Sequence, residues 1–200
     1  MNTFVRCLSL SVTLVTLMIS ATGSAQDNRR LETDLSGFKE VIGPTLGAGA
    51  LFSTGNGQLT LQINKQKREI TYQLTYQFPD AIATPIVGTQ FVNQAHLHFG
   101  QKHTTGAINV WLCQSADSPA PAAVAASTPM CPSPSGTVSG SITPAKVLEL
   151  TPQGFPGGEK GFDALLAAIG SDAIYGNVHT DRSPAGEIRG QVGDLPTPSQ

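Results

Sequence analysis

The sequence predicts an all-β protein, either an antiparallel β-sandwich or a flattened Greek-key barrel, with one short helix. Short segments in which apolar and polar residues alternate recur along the chain, as in strands that bury one face. The 200 residues also include 21 glycines and 14 prolines without a periodic repeat, which is typical of many tight turns between short strands. The length fits one domain with one hydrophobic core.

The first 25 residues have the features of a secretory signal peptide. Arg6 supplies a positive charge, residues 8–19 are apolar, and the small residues 23–25 (Gly-Ser-Ala) provide a cleavage site. The apolar run is short for a membrane span, and an uncleaved N-terminal anchor stays open as the alternative. We therefore expect a secreted protein, periplasmic or extracellular, without a membrane span after signal cleavage.

The rest of the chain is predicted to contain one domain. Residues 26–32 are expected to form a polar leader and residues 33–193 the β domain, while residues 194–200 are expected to be a flexible tail. The first strand-like stretch of the domain includes Leu35 and Phe38.

The strand predictions follow the alternation of apolar residues in order along the chain. Residues 58–63 and 69–78 alternate strictly and predict an antiparallel hairpin. The further predicted strands are residues 91–99, 106–113, 136–142, 173–180 and 187–192. Residues 161–170 (GFDALLAAIG) instead have the apolar spacing of a short amphipathic helix. The last two strands are expected to pair as a closing hairpin.

Two of the three cysteines, Cys113 and Cys131, lie outside the predicted signal peptide. An even pair in an oxidising compartment predicts a disulfide, whereas two free thiols, the alternative, fit secretion poorly. The segment of about residues 114–135 is rich in Ala, Pro and Ser, and we expect it to be a surface insertion without a packed element.

The charge pattern argues against a nucleic-acid partner. The formal net charge is −2 and only 13% of the residues are charged. The one dense basic cluster, at residues 65–68, lies between two predicted strands, where a solvated hairpin tip is expected.

The histidines provide the candidate site. His96 and His98 are two apart on a predicted strand, so both imidazoles project from one face at a separation that can chelate a metal ion. His179 on the closing hairpin is a third candidate ligand if its strand lies nearby, with Glu187 as a direct ligand or a neighbour of the ligands. Imidazole ligands suit copper or zinc. The fourth histidine, His103, is expected to be exposed in a loop.

The alternative for these residues is structural. The histidines would then form cross-strand hydrogen bonds with a polar cluster of Asn177, Glu187 and Arg189, in place of a metal.

Three segments resemble the CHRD (chordin) domain family: residues 33–40 (TDLSGFKE), 95–106 (AHLHFGQKHTTG) and 175–192 (YGNVHTDRSPAGEIRGQV). The resemblance implies a single-domain secreted member of a family that also occurs as repeated copies in the growth-factor antagonist chordin. It brings no firmly established catalytic activity, and the cysteine-rich modules that accompany the domain in chordin are absent here. The string HLHFG also resembles the copper-binding strand of copper/zinc superoxide dismutase, but four histidines are too few for a dinuclear site of that type.

These observations leave two hypotheses of function. The first is a non-enzymatic structural or binding module whose partner is an extracellular protein or a cell-envelope component, because no G-x-S-x-G or H-E-x-x-H motif indicates catalysis. The second is a mononuclear copper- or zinc-binding protein that uses His96, His98 and His179.

Overall fold

The computed structural model describes residues 28–43, 49–79 and 91–193. The predicted signal peptide and C-terminal tail lie outside these residues. The strands are β1 (Asn28–Ser36), β2 (Asn56–Asn64), β3 (Glu69–Gln77), β4 (Val92–Phe99), β5 (Ala107–Cys113), β6 (Ser135–Ile142), β7 (Ile174–Thr180) and β8 (Ile188–Val192). The helices are the four-residue α1 (Ala122–Ala125) and the longer α2 (Gly158–Gly170).

The eight strands form one antiparallel sheet in the order β5-β4-β7-β8-β1-β2-β3-β6. The two outermost strands, β5 and β6, contact each other, so the sheet is nearly closed into a barrel. The predicted all-β class is therefore confirmed. Among the described residues, no helix is long and apolar enough to cross a membrane.

The barrel core is built from alternate residues of the strands. The 58–63 and 69–78 predictions are confirmed, with Leu59 directly opposite Leu74 and Ile63 opposite Ile70, all four buried. Helix α2 adds Phe162, Leu165 and Ile169 to the same core. One face of these elements is therefore apolar because it faces a single shared interior.

The first strand begins earlier than the sequence predicts. Residues 28–32, within the expected polar leader, are the first half of β1 and pair along their length with β2. Polar residues occupy this half because only Leu31 in it reaches the core. Phe38, expected in a strand-like stretch, lies instead in a 3₁₀ turn and is exposed.

A bulged pairing between β4 and β5 changes which side chains face the core. The register shifts twice, between Ala95 and His96 and again between Leu97 and His98. As a result Cys113 and its neighbour Leu112 both lie in the core, although strict alternation would place their side chains on opposite faces. Strict alternation fails here because each bulge adds an unpaired residue.

The 114–135 insertion is ordered, so the expectation that it lacks a packed element was wrong. The predicted disulfide between Cys113 and Cys131 is present at its base, with the Cα atoms 5.0 Å apart. Helix α1 buries Val124. The Gln114 side-chain amide donates to the carbonyl oxygens of Ala125 (2.8 Å) and Thr128 (2.7 Å). One half-buried polar side chain thus organises a segment whose composition indicates a loop.

Candidate functional site

The three candidate ligands meet on the outer face of two neighbouring strands. In the pairing of β4 with β7, His96 lies opposite Asn177 and His179 lies opposite Gln94, so His96 and His179 are diagonal neighbours. His98 follows on the same face of β4, two residues after His96. All three side chains are buried, with exposed fractions of 0% for His96, 7% for His98 and 6% for His179.

The nitrogen atoms of the three rings converge on one point. His96 Nδ1 and His179 Nε2 are 3.3 Å apart, and one nitrogen from each of the three histidines lies within 4.8 Å of the others. Three imidazole nitrogens at these separations can bind one transition-metal ion.

Backbone carbonyl groups fix the tautomers of two of the rings. His98 Nδ1 lies 3.0 Å from the Gly106 carbonyl oxygen, and His179 Nδ1 lies 2.9 Å from the Pro184 carbonyl oxygen. A carbonyl oxygen only accepts, so both Nδ1 atoms must carry the proton. The Nε2 atoms of His98 and His179 therefore carry lone pairs, as in histidine metal ligands that are oriented by a second hydrogen bond, and the His179 lone pair faces His96 Nδ1.

Burial keeps the three imidazoles neutral. It lowers the pKa of His98 and of His179 to about 4, although the hydrogen bonds to Gly106 and Pro184 act in the opposite direction. Burial, and then the charges of the other two histidines, lower the pKa of His96 well below 6.5. Neutral imidazole is the form that binds metals, so the site is ready for a ligand at neutral pH.

Aromatic rings pack on two of the histidines. The Tyr175 ring is stacked on His98, with centroids 4.7 Å apart and planes 4° from parallel. On β5, Trp111 pairs with His96, and the two rings form a T-shaped contact with centroids 4.2 Å apart and planes at 77°. These contacts limit the rotation of both imidazoles.

Arg189 ties the loop of residues 100–106 to the site. Its guanidinium lies 3.4 Å from the centroid of the Tyr175 ring and donates hydrogen bonds to the carbonyl oxygens of Thr104 (2.7 Å) and Gln101 (3.0 Å). The Gly106 N–H donates to the Tyr175 hydroxyl oxygen at 3.1 Å. The same glycine therefore positions both Tyr175 and, through its carbonyl group, His98.

Two buried carboxylates support the neighbouring polar side chains. The Asn177 amide donates to Glu40, whose pKa is raised by burial. Glu187 accepts hydrogen bonds from the hydroxyl groups of Ser53 (2.7 Å) and Thr180. Glu187 is not part of the convergent group of the three histidines, and each of its carboxylate oxygens accepts one of these hydroxyl groups.

A glycine in the loop before β8 makes room for one of these hydrogen bonds. Gly186 has a φ of +123°, and a Cβ atom there would lie 2.6 Å from both Asn177 Nδ2 and Glu40 Oε2. The glycine of the GEIRG string is therefore required by the Asn177–Glu40 contact.

The predicted polar cluster is present but is not one hydrogen-bonded unit. Asn177 lies directly opposite Arg189 across β7 and β8. Within the described chain, however, the Asn177 amide donates to Glu40, Glu187 accepts from hydroxyl groups, and Arg189 donates to loop carbonyl groups. The exposed His103 takes no part in the ligand group, as expected.

Sequence reasoning missed Glu40, Ser53 and the carbonyl groups of Gly106 and Pro184. Glu40 and Ser53 come from a region far away in sequence, and a backbone carbonyl leaves no mark in the sequence. One signal was available: Glu40 ends the TDLSGFKE segment that carries the family resemblance.

A comparison with family models finds a match over most of the chain. The CHRD domain model matches residues 31–192. No curated protein and no solved structure matches the chain.

Proposed function

Since the chain belongs to the CHRD domain family, we propose that it is a secreted module of that family which binds one transition-metal ion, copper or zinc, through His96, His98 and His179. The family match covers most of the chain, while the metal site rests on the geometry of the three rings.

One observation carries the proposal. The Nε2 atoms of His96 and His98 are buried and have no hydrogen-bond partner in the described part of the chain. A buried polar atom without a partner costs about 1–3 kcal/mol, so a purely structural role leaves both atoms unexplained. A metal ion bound by the three rings would use the free lone pair of His98 directly.

The donor set supports copper or zinc over harder cations. Three neutral nitrogen ligands without a carboxylate suit borderline metals, whereas calcium and magnesium prefer oxygen. Zinc with three protein ligands keeps an open fourth position, and copper binds more strongly than zinc to the same nitrogen ligands.

The metal content of the protein tests the proposal. Protein purified without a metal-affinity tag is analysed by elemental mass spectrometry, and binding of added copper or zinc is followed by the fluorescence of the lone tryptophan, Trp111, which contacts His96. We expect one bound ion per chain. The double variant His96→Ala/His98→Ala should lose the ion, whereas His103→Ala, the matched control at the exposed histidine, should retain it.

A folded double variant that retains the ion, or native protein without affinity for either metal, would refute the proposal. Circular dichroism of both variants separates loss of the ion from loss of the fold. If the native protein binds no metal and the double variant unfolds more easily, the histidines have the structural role.

Secretion and the absence of a reaction are part of the same proposal. The disulfide and the family match are compatible with an extracellular or periplasmic protein. Fractionation of the source cells, with the N-terminus of the mature chain sequenced, tests this, because a cytoplasmic protein with its first 25 residues intact would contradict it. We propose binding of the ion and no catalysis.

A second candidate, binding of an extracellular protein or a cell-envelope component, is favoured by exposed apolar side chains. Phe38 (68% exposed), Phe52 (56%), Phe91 (45%) and Met130 (59%) all lie beside strand termini at the same end of the barrel. A photo-crosslinking residue at position 38 or 52 should capture a discrete partner in cells. The same group at Lys67, on the turn at the opposite end, should not, and equal labelling at both ends would reject this candidate.

A further inference from the structure

His96 differs from the other two candidate ligands in its hydrogen bonding. No backbone carbonyl holds its Nδ1, which faces His179 Nε2 at 3.3 Å, and its Nε2 has no hydrogen-bond partner in the described chain. A neutral imidazole carries one proton, so that proton is either on Nδ1 or on Nε2.

The position of this proton determines whether the three rings can bind a metal together. A proton on His96 Nδ1 would be donated to His179 Nε2 and would engage the lone pair that His179 needs for a metal. A proton on Nε2 leaves a lone pair on His96 Nδ1, next to the lone pair of His179 Nε2. Only the second tautomer brings His96 Nδ1 and His179 Nε2 to one ion.

Of the rings that pack against His96, the indole of Trp111 has the nearest centroid. Trp111 lies directly opposite His96 in the pairing of β4 with β5. The two ring centroids are 4.2 Å apart and the ring planes meet at 77°, so the rings are nearly perpendicular. The other two imidazoles are more distant from His96, with centroids at 5.4 Å for His98 and 5.0 Å for His179. The face of an aromatic ring is electron-rich and accepts an N–H group, although more weakly than an oxygen atom does.

We propose that Trp111 is a positioning residue that holds the His96 proton on Nε2 through an N–H···π contact, so that His96 binds the metal through Nδ1 while His98 and His179 bind through Nε2. The inference rests on the proposed metal site and deepens it. Because all three imidazoles bind as neutral rings with the proton already on the nitrogen that faces away from the ion, binding releases no proton from them.

Nitrogen NMR on ¹⁵N-labelled protein with bound Zn²⁺, which is diamagnetic, tests the assignment. Couplings between ring protons and ring nitrogens identify which nitrogen of each histidine carries the proton. We expect His96 to be protonated at Nε2, and His98 and His179 at Nδ1.

Variants at position 111 supply the second readout. Trp111→Leu removes the aromatic face and should lower Zn²⁺ affinity about 10- to 100-fold, the range typical for residues that orient a ligand. Trp111→Phe keeps an aromatic face and should restore much of that affinity. Phe52→Leu, at an exposed aromatic residue, is the control and should leave affinity unchanged.

The outcomes distinguish the inference from the proposed function. A native protein that binds no Zn²⁺ or copper overturns both. Zinc bound through His96 Nε2, or a folded Trp111→Leu variant with native affinity and native tautomers, overturns the role of Trp111 alone and leaves the three-histidine site in place.

Discussion

His98 and His179 each donate a hydrogen bond from Nδ1 to a backbone carbonyl oxygen, which leaves Nε2 as the nitrogen with a lone pair. This arrangement orders the rings before any ion arrives, so less conformational freedom has to be lost on binding. The same burial makes the rings sensitive to acid, because a buried imidazolium is poorly solvated.

The protein should therefore lose stability between pH 6.5 and about 4. In this range the unfolded chain binds protons at His98 and His179, while the folded chain, with both pKa values at about 4, does not. The free energy of unfolding should fall as the pH is lowered, by up to ~3 kcal/mol for each histidine, and should not change from this cause above pH 7.

Urea unfolding of the metal-free protein at pH 4.5 and pH 7 measures this effect. Glu40 acts in the opposite direction, because its pKa is raised by burial and the folded chain is therefore the better proton binder at that carboxylate. His98→Gln should flatten the pH dependence and His103→Gln should leave it intact. If the free energy of unfolding changes equally with pH in the two variants, the buried His98 is not the cause of the pH dependence.

At the scale of elements, the disulfide connects the insertion to the core. Cys113 is in the core beside Leu112, and Cys131 packs against the same cluster from the far end of the insertion. Reduction should lower the free energy of unfolding by about 3 kcal/mol, as expected for a cross-link that closes a loop of this length.

Chemical denaturation with and without dithiothreitol measures this loss. Reduction leaves both sulfur atoms in place, so comparison with Cys113→Ala/Cys131→Ala separates the cross-link from the packing of the side chains. A reduced protein as stable as the oxidised one would mean that Gln114 and helix α1 hold the insertion by themselves.

Strands in which apolar and polar residues alternate were predictable from the sequence. Segments that depend on pairing with a distant strand were not. Strands β2 and β3 alternate strictly because one face of each is in the core. The first half of β1 is polar and is a strand only because β2 pairs with it.

The candidate site divides in the same way. His96 and His98 could be placed together because alternation along a strand needs only local sequence. The position of His179 depended on the packing of β7 against β4, and the roles of Trp111 and Glu40 depended on bulges and distant loops.

At the scale of the whole molecule, the sheet comes nearest to closure at the seam between β5 and β6. These strands contact each other at the two ends of the sheet order. Tyr72 on β3 is paired with Gly140 on β6, the strand that lies between β3 and β5. The Tyr72 side chain extends past Gly140, and its hydroxyl donates a hydrogen bond to the Leu112 carbonyl oxygen on β5 at 2.7 Å. A Cβ atom on Gly140 would lie 2.5 Å from that hydroxyl, so only a glycine at position 140 gives the Tyr72 side chain enough room.

Tyr72→Phe should therefore weaken the seam. Burial raises the pKa of Tyr72 to about 12, so its hydroxyl stays a donor at every ordinary pH, and its removal leaves the Leu112 carbonyl oxygen without this donor. We expect a loss of about 1–2 kcal/mol in the free energy of unfolding, with faster amide hydrogen exchange in β5 and β6. Tyr76→Phe is the matched control, because its hydroxyl donates to the Pro132 carbonyl oxygen of the insertion at 2.6 Å and not to a strand across the seam. The prediction fails if amide exchange in β5 is unchanged in Tyr72→Phe, or if it is equally fast in Tyr76→Phe. Either result would mean that apolar packing, and not the Tyr72 hydrogen bond, holds β5 and β6 together.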